Sequence, residues 1–192
     1  MEAYEKYERN GYTVSIYPDA MSPGEWDNLG TLYFESSRYA PAATTGIDTV
    51  DTSCHDLCVH LRAMRIAGEH FLPVRYEDHG ANGSTLRVSD DEAANGFILT
   101  TPHRIELLGA PMDSIERQLR GEVKEWDTYF RGEVYGYVVE TPAGERVDSL
   151  WGLYGMDYAL EEANGAVDSL DPPPATQVCE CCKGNGYVEV SE

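Results

Sequence analysis

The stretch of residues 113–163 constrains the fold more than any other part of this sequence, because its patterns specify a helix, a hairpin and a second helix in succession. Apolar residues recur there at helical spacing and predict a helix with one buried face, formed by Ile115, Leu119, Val123, Trp126 and Phe130. Asp113, followed three residues later by Glu116, matches a capping box at the start of this helix. Gly132 is predicted to end it.

The next two segments are predicted to pair as a β-hairpin. Residues 133–140 are rich in β-branched and aromatic side chains, which favour strands. Residues 141–145 contain the proline and glycine typical of a turn, and residues 146–149 supply the returning strand. Residues 154–163 are predicted to form the second helix.

The rest of the chain alternates short strands with polar loops. Strands are predicted at 12–17, 32–34, 71–76, 84–88 and 96–101, and a helix at 55–68. Residues 1–11 are predicted to be a frayed lead-in, and residues 35–52 an irregular loop. Several short strands with two or three helices predict an α+β fold around a mainly antiparallel sheet. We expect one acidic domain over 1–168, a proline-rich spacer over 169–176 and a short cysteine-bearing C-terminal tail over 177–192.

The charge is strongly negative. Thirty-four Asp and Glu residues against 14 Lys and Arg residues give a net charge of −20, which repels nucleic acid and anionic lipid and favours a basic partner protein. One interpretation is that the charge only keeps the protein soluble, or reflects a GC-rich or salt-adapted source that uses few lysines. The other is that surface carboxylates imitate the phosphates of a nucleic acid. The sequence has no apolar run of bilayer length and does not begin like a signal peptide, so we expect no membrane association and an intracellular protein.

Two acidic segments are the candidate partner-binding residues. Glu25, Trp26 and Asp27 stand in a predicted loop, where an exposed tryptophan between two carboxylates would be a good anchor. The alternative is that the tryptophan fills the core beneath the loop. Charged turn residues form the second segment: Asp90, Asp91 and Glu92.

His79 is the candidate for acid–base chemistry. A carboxylate beside an imidazole, as in Asp78–His79, can orient the ring and raise its pKa. With Asp27 and a divalent ion, this pair would give a small hydrolase or nuclease-like enzyme. The alternative is an ordinary hydrogen-bonding histidine in a turn. No G-x-S-x-G, Walker A or H-E-x-x-H pattern is present, which favours a protein without catalytic activity.

The cysteines suggest zinc as the one candidate cofactor. Cys179 and Cys182 form a C-x-x-C-x-G-x-G pattern, which resembles one half of the zinc knuckles in the cysteine-rich region of DnaJ-type chaperones. Structural zinc needs four ligands, and Cys54 and Cys58, one helical turn apart, could supply the other two. Three states stay open: zinc held within one chain, zinc shared between two chains of a homo-oligomer, or free thiols.

Four motifs occur in a fixed order along the chain. They are EWDNLGT at 25–31, LPV at 72–74 with DHG at 78–80, GEVYGY at 132–137 and DSLWGLYG at 148–155. Together they resemble a family of small, uncharacterised proteins common in bacteriophage genomes and mobile elements. The resemblance covers residues 12–163, and the sequence departs from it at 89–96, where the family more usually has a Trp-Asp-Ser-Gly-type turn.

The resemblance implies a phage or mobile-element origin and a location in the host cytoplasm. Combined with the charge, it predicts an acidic DNA mimic that binds and inhibits a host nucleic-acid-handling or defence protein, in the manner of anti-restriction or anti-CRISPR proteins. The alternatives are the hydrolase built on His79 and a zinc-stapled structural or regulatory phage protein.

Overall fold

A computed structural model of the chain describes residues 2–35, 47–50, 54–80, 83–171, 176–178 and 187–189. Helices and strands are both well represented in these residues, and the strands form mostly antiparallel sheets, which confirms the predicted α+β class. The strands are β1 (Glu5–Arg9), β2 (Tyr12–Pro18), β3 (Thr31–Glu35), β4 (Ile47–Val50), β5 (His70–Asp78), β6 (Ser84–Val88), β7 (Gly96–Thr100), β8 (Val134–Glu140), β9 (Arg146–Tyr154), β10 (Thr176–Val178) and β11 (Tyr187–Glu189). The α-helices are α1 (Cys54–Ala67), α2 (Pro102–Leu108), α3 (Ile115–Phe130) and α4 (Met156–Asp168), and short 3-10 turns cover Pro23–Glu25 and Met112–Ser114.

The chain divides into two compact units. One unit, the flanking unit, comprises Met1–Ala20 and Val134–Glu192, and the other, the inserted unit, comprises Met21–Glu133. Where the sequence predicts one domain over 1–168, the structure has two units, each with its own hydrophobic core. The predicted helix–hairpin–helix stretch is present, but α3 belongs to the inserted unit, whereas the hairpin and α4 belong to the flanking unit. Residues 172–175 and 179–186 lie outside the described residues, so the spacer and the tail boundary stay predictions.

The flanking unit is a four-stranded antiparallel sheet, in the order β1-β2-β8-β9, covered by α4. Apolar residues of β2 and β8, including Val14, Ile16 and Val139, pack against the small residues Ala159 and Ala163 of α4. The frayed lead-in predicted over residues 1–11 is wrong, because residues 5–9 pair with β2 in a hairpin. Its turn is Asn10–Gly11, and both residues have positive φ (51° and 82°), as a two-residue hairpin turn of this kind requires.

The inserted unit is a five-stranded sheet in the order β4-β3-β7-β5-β6, with α3 packed on one face and α1 on the other. Side chains that alternate along β3, β5 and β7 are divided between the two helices, as the two-residue period of a strand dictates. The core of α3 includes Phe34, Leu72 and Ile98. The hydrophobic core between the sheet and α1 contains residues adjacent to these in sequence, including Phe71 and Phe97.

Helix α3 confirms the predicted apolar face. Four of its five predicted residues are fully buried and Phe130 is partly buried, the four being Ile115, Leu119, Val123 and Trp126. The predicted capping box is wrong, because Asp113 lies in a 3-10 turn and α3 begins one residue after Ser114, without a side-chain cap. Ser114 is buried and instead donates its hydroxyl to the carbonyl of Pro111 at 2.8 Å.

Helix α2 and strand β4, like β1, β10 and β11, were not predicted. Helix α2 begins at Pro102, is capped by the Thr101 hydroxyl and ends at Gly109 in the left-handed conformation (φ 61°), which are ordinary helix start and stop signals. Strand β4 lies within the predicted irregular loop and pairs with β3 in parallel. Residues 36–46 and 51–53 of that loop are outside the described residues.

Candidate functional site

A loop of the inserted unit, residues 22–30, carries the predicted tryptophan anchor, and we call it the tryptophan loop. It opens with the capping box that the sequence analysis missed: the Ser22 hydroxyl accepts the Gly24 N–H at 3.2 Å, and Glu25 accepts the Ser22 N–H at 3.4 Å. Asn28 closes the loop by donating its side-chain amide to the carbonyl of Pro23 at 2.7 Å. The loop therefore has its own internal hydrogen bonds.

Helix α3 holds the far end of the tryptophan loop. The Glu122 carboxylate accepts the backbone N–H of Leu29 at 2.6 Å and that of Gly30 at 2.8 Å. Arg104 of α2 donates to the carbonyl of Asn28. Leu29 is buried in the core of α3, and a Cβ at Gly30 would lie 2.5 Å from the Ile98 side chain, so the loop is pressed closely onto the sheet.

Burial makes Glu122 an unusual carboxyl. Its pKa is raised to about 7, mainly by removal from water and to a smaller extent by the negative charge of Glu125. The N–H groups of Gly30 and Leu29 and the charge of Arg104 act in the opposite direction. The carboxyl that holds the loop therefore changes charge near neutral pH.

The tip of the tryptophan loop faces solvent. Trp26 is 47% exposed, and Glu25 and Asp27 on either side of it are exposed as well. The alternative in which Trp26 fills the core is therefore wrong. The sequence placed these three residues in a loop and left the exposure of Trp26 open, and it gave no sign of Glu122, which resembles any other glutamate on a helix.

The second acidic segment is not uniformly acidic. Asp91 pairs with Arg65 of α1 at 2.7 Å, and Asp90 accepts the Ala93 N–H at 2.9 Å, whereas Glu92 is exposed. The three line a cleft of about 720 Å³ that also contains arginines of α1 and α3: Arg62, Arg65 and Arg120. This segment therefore has mixed charge, whereas the tryptophan loop presents carboxylates alone at its tip.

The structure does not join Asp78 and His79 as a hydrogen-bonded pair. The His79 ring nitrogen Nε2 lies 3.2 Å from the Thr85 hydroxyl, and the Asp78 carboxylate accepts the Gly80 N–H at 2.8 Å. Asp27 belongs to the tryptophan loop. Among the residues that the structure describes, no three His, Cys, Asp or Glu side chains are grouped so that they could hold a metal ion.

The predicted zinc ligands lie mostly outside the described side chains. Cys58 is a partly buried free thiol in α1, and Cys54 begins the same helix. Nothing is described of the Cys54 side chain, or of Cys179 and Cys182. The zinc site stays a prediction.

Taken together, the fold and site define an acidic α+β protein of two units that presents one ordered, exposed tryptophan between two carboxylates. None of the described helices is long and apolar enough to cross a membrane. Comparison with protein-family models, with curated proteins and with solved structures finds no match to this chain. The likeness of its motifs to a phage family stays a prediction.

Proposed function

We propose that this protein is a phage-type acidic inhibitor without catalytic activity, which binds a basic host protein through the tryptophan loop. The observation that carries the proposal is the exposure of Trp26 on a loop held by Glu122 and Arg104. Tryptophan is enriched among residues that dominate binding energy at protein interfaces. A loop that is already ordered loses less conformational entropy on binding than a flexible one.

Charge defines the partner's chemistry. Glu25 and Asp27 place two exposed carboxylates beside the anchor, and the chain as a whole carries −20. By sequence, the flanking unit has fifteen acidic residues and four basic ones. Such a field accelerates association with a basic surface and slows association with an acidic one. A host protein with a nucleic-acid-binding groove, in a nucleic-acid-handling or defence complex, fits this chemistry, because the carboxylates would occupy the positions of phosphates.

The test uses the full chain as immobilised bait in bacterial host lysate. Wild type is compared with Trp26→Ala, with the double variant Glu25→Gln, Asp27→Asn, and with a matched control, Asp157→Asn, Glu161→Gln, which removes two exposed acids from α4. We expect wild type and control to retain a basic, nucleic-acid-binding protein. Trp26→Ala should lose it by faster dissociation, and the loop-acid variant should bind it more slowly.

Two further measurements test whether surface charge drives the binding. Double-stranded DNA should displace the captured protein, because both ligands would neutralise the same Lys and Arg residues. The association rate with the purified partner should fall steeply as salt is raised. Equal retention by Trp26→Ala and wild type, or binding that is unaffected by DNA and salt, would refute the proposal.

A further inference from the structure

A second cleft in the inserted unit has the opposite charge to the rest of the protein. It lies between α3 and the edge strand β6, has a volume of about 630 Å³, and we call it the α3–β6 cleft. Four of the 14 cationic residues of the chain line it: Arg87, Arg117, Arg120 and Lys124. Apolar side chains form the rest of the lining, with Asp127 as its one acidic residue: Leu86, Val88 and Val123.

The positive charge in this cleft is poorly compensated. Arg87 pairs with Glu77 at 3.6 Å, whereas Arg117 and Lys124 form no ion pair with any described residue. Arg120 pairs with Glu116 at 2.8 Å on the exposed helix surface, and such pairs exchange partners at little cost. Asp127 is already occupied, because it pairs with Arg131 at 2.7 Å and accepts the Leu86 N–H.

Gly121 keeps the wall of the cleft open. It stands in the middle of α3, where glycine weakens a helix relative to alanine. A Cβ at this position would meet nothing within 4 Å, so close packing does not require glycine here. Arg117 and Lys124 lie four residues before it and three residues after it, which places all three on one helical face. The glycine therefore leaves room between two cations.

The edge of β6 argues against an added strand as the occupant. Edge strands present unpaired backbone groups to which an extended peptide can add. Here the Asp127 carboxylate accepts the Leu86 N–H at 2.7 Å and occupies that position on β6. The volume of the cleft is within the range of pockets for small molecules.

We infer that the α3–β6 cleft binds a compact phosphate-bearing molecule of nucleotide size. Arg117 and Lys124 contact the phosphates, since a guanidinium fork matches phosphate oxygens and an ammonium supplies a point charge. The apolar body of the ligand packs against Val88 and the aliphatic stems of the neighbouring cations, beside Gly121, because Leu86 and Val123 are themselves buried. This site involves no residue of the tryptophan loop, so it can be tested independently of the proposed partner.

The experiment is a calorimetric titration of the full chain with ADP and, separately, with inorganic pyrophosphate. We expect ADP to bind and pyrophosphate to bind at least tenfold more weakly, because pyrophosphate lacks the apolar body. Arg117→Gln with Lys124→Gln should weaken both at least tenfold. Gly121→Leu should weaken ADP at least tenfold by filling the space beside the glycine, whereas the matched control Gly165→Leu, on α4, should bind like wild type.

Each alternative outcome overturns the inference. Absence of binding by both probes at millimolar concentration would remove the site, and unchanged binding by the Arg117, Lys124 double variant would place the ligand elsewhere. Equal affinity for pyrophosphate and ADP would contradict the role of the apolar floor. Tighter binding of a single-stranded oligonucleotide than of ADP would contradict a compact ligand. Thermal unfolding of every variant establishes that it is folded.

Discussion

The Glu122 carboxylate accepts the backbone N–H of Gly30 at 2.8 Å, and this contact joins the loop that carries Trp26 to the helix that lines the α3–β6 cleft. Its second oxygen accepts the Leu29 N–H at 2.6 Å. One side chain therefore satisfies two adjacent backbone donors where the chain enters β3. The stability of the proposed partner-binding surface depends on this carboxyl.

Glu122 should make stability depend on pH. Its pKa is 4.5 when unperturbed and about 7 in the folded protein, so between these values the folded state binds more protons than the unfolded state. The contribution of Glu122 to the free energy of unfolding therefore falls as pH rises from about 4.5 to about 7. Glu122→Gln does not titrate and should remove this contribution. Urea unfolding at pH 5, 6, 7 and 8 measures it, and parallel curves for the two proteins would contradict the prediction.

Loss of the Glu122 side chain should destabilise the inserted unit. Glu122→Ala leaves the Leu29 and Gly30 N–H groups without their acceptor, at a cost of about 2–4 kcal/mol for the two together. The matched control is Glu116→Ala on the same helix, whose exposed pair with Arg120 contributes at most about 1 kcal/mol. Urea unfolding at pH 5, where Glu122 is protonated in the folded protein, compares the two, and similar losses would show that Glu122 is not a structural clamp.

Gly136 of β8 should not tolerate a side chain. A Cβ at this position would overlap the indole of Trp151, which stacks on Tyr17 with ring centroids 6.2 Å apart. Gly136→Ala should therefore cost about 1–3 kcal/mol by overpacking. Combined with Trp151→Leu, the same change should cost clearly less, because the neighbour that it meets is gone. Additive losses in thermal unfolding would refute this explanation.

The acidic turn should respond unequally to charge reversal. Asp91→Lys replaces the partner of Arg65 with a like charge and should lower stability by about 0.5–1 kcal/mol, whereas Glu92→Lys should be neutral. Reversal of Asp90, Asp91 and Glu92 together should still slow association with a basic partner, since surface charge acts mainly on the association rate. Chemical unfolding measures the first effect and stopped-flow binding the second. A stable Asp91→Lys variant would mean that the Arg65 pair contributes nothing.

Local pattern was sufficient to predict most of the elements. The period of α3, the hairpin of β8 and β9, and a loop at Trp26 all follow from spacing and turn chemistry within a few residues, whereas the exposure of Trp26 does not. Asn10–Gly11 carried an equally clear signal for the first hairpin, which was missed because the preceding strand is short and polar. Helix α2 was missed for a related reason: no buried residue gives it an apolar face.

The parts that were not predicted depend on contacts between distant segments. Glu122 acquires its role only because Leu29 and Gly30, more than ninety residues away in sequence, reach it. The division into two units depends on the pairing of β2 with β8, across the whole inserted unit. No local signal distinguishes such a pairing from that between consecutive strands.

The chain enters the inserted unit at the end of β2 and returns from it at the start of β8, and these two points are paired with each other. Tyr17 pairs with Gly136, Pro18 pairs with Tyr135, and the Asp19 N–H donates to the carbonyl of Val134 at 2.8 Å. During translation, the pairing of β2 with β8 is therefore delayed until the ribosome has synthesised the whole inserted unit and then β8. For the same reason, a short turn from Asp19 to Val134 would close the sheet without that unit, so recombination could add, remove or exchange the segment that bears the tryptophan while the rest of the gene stays unchanged.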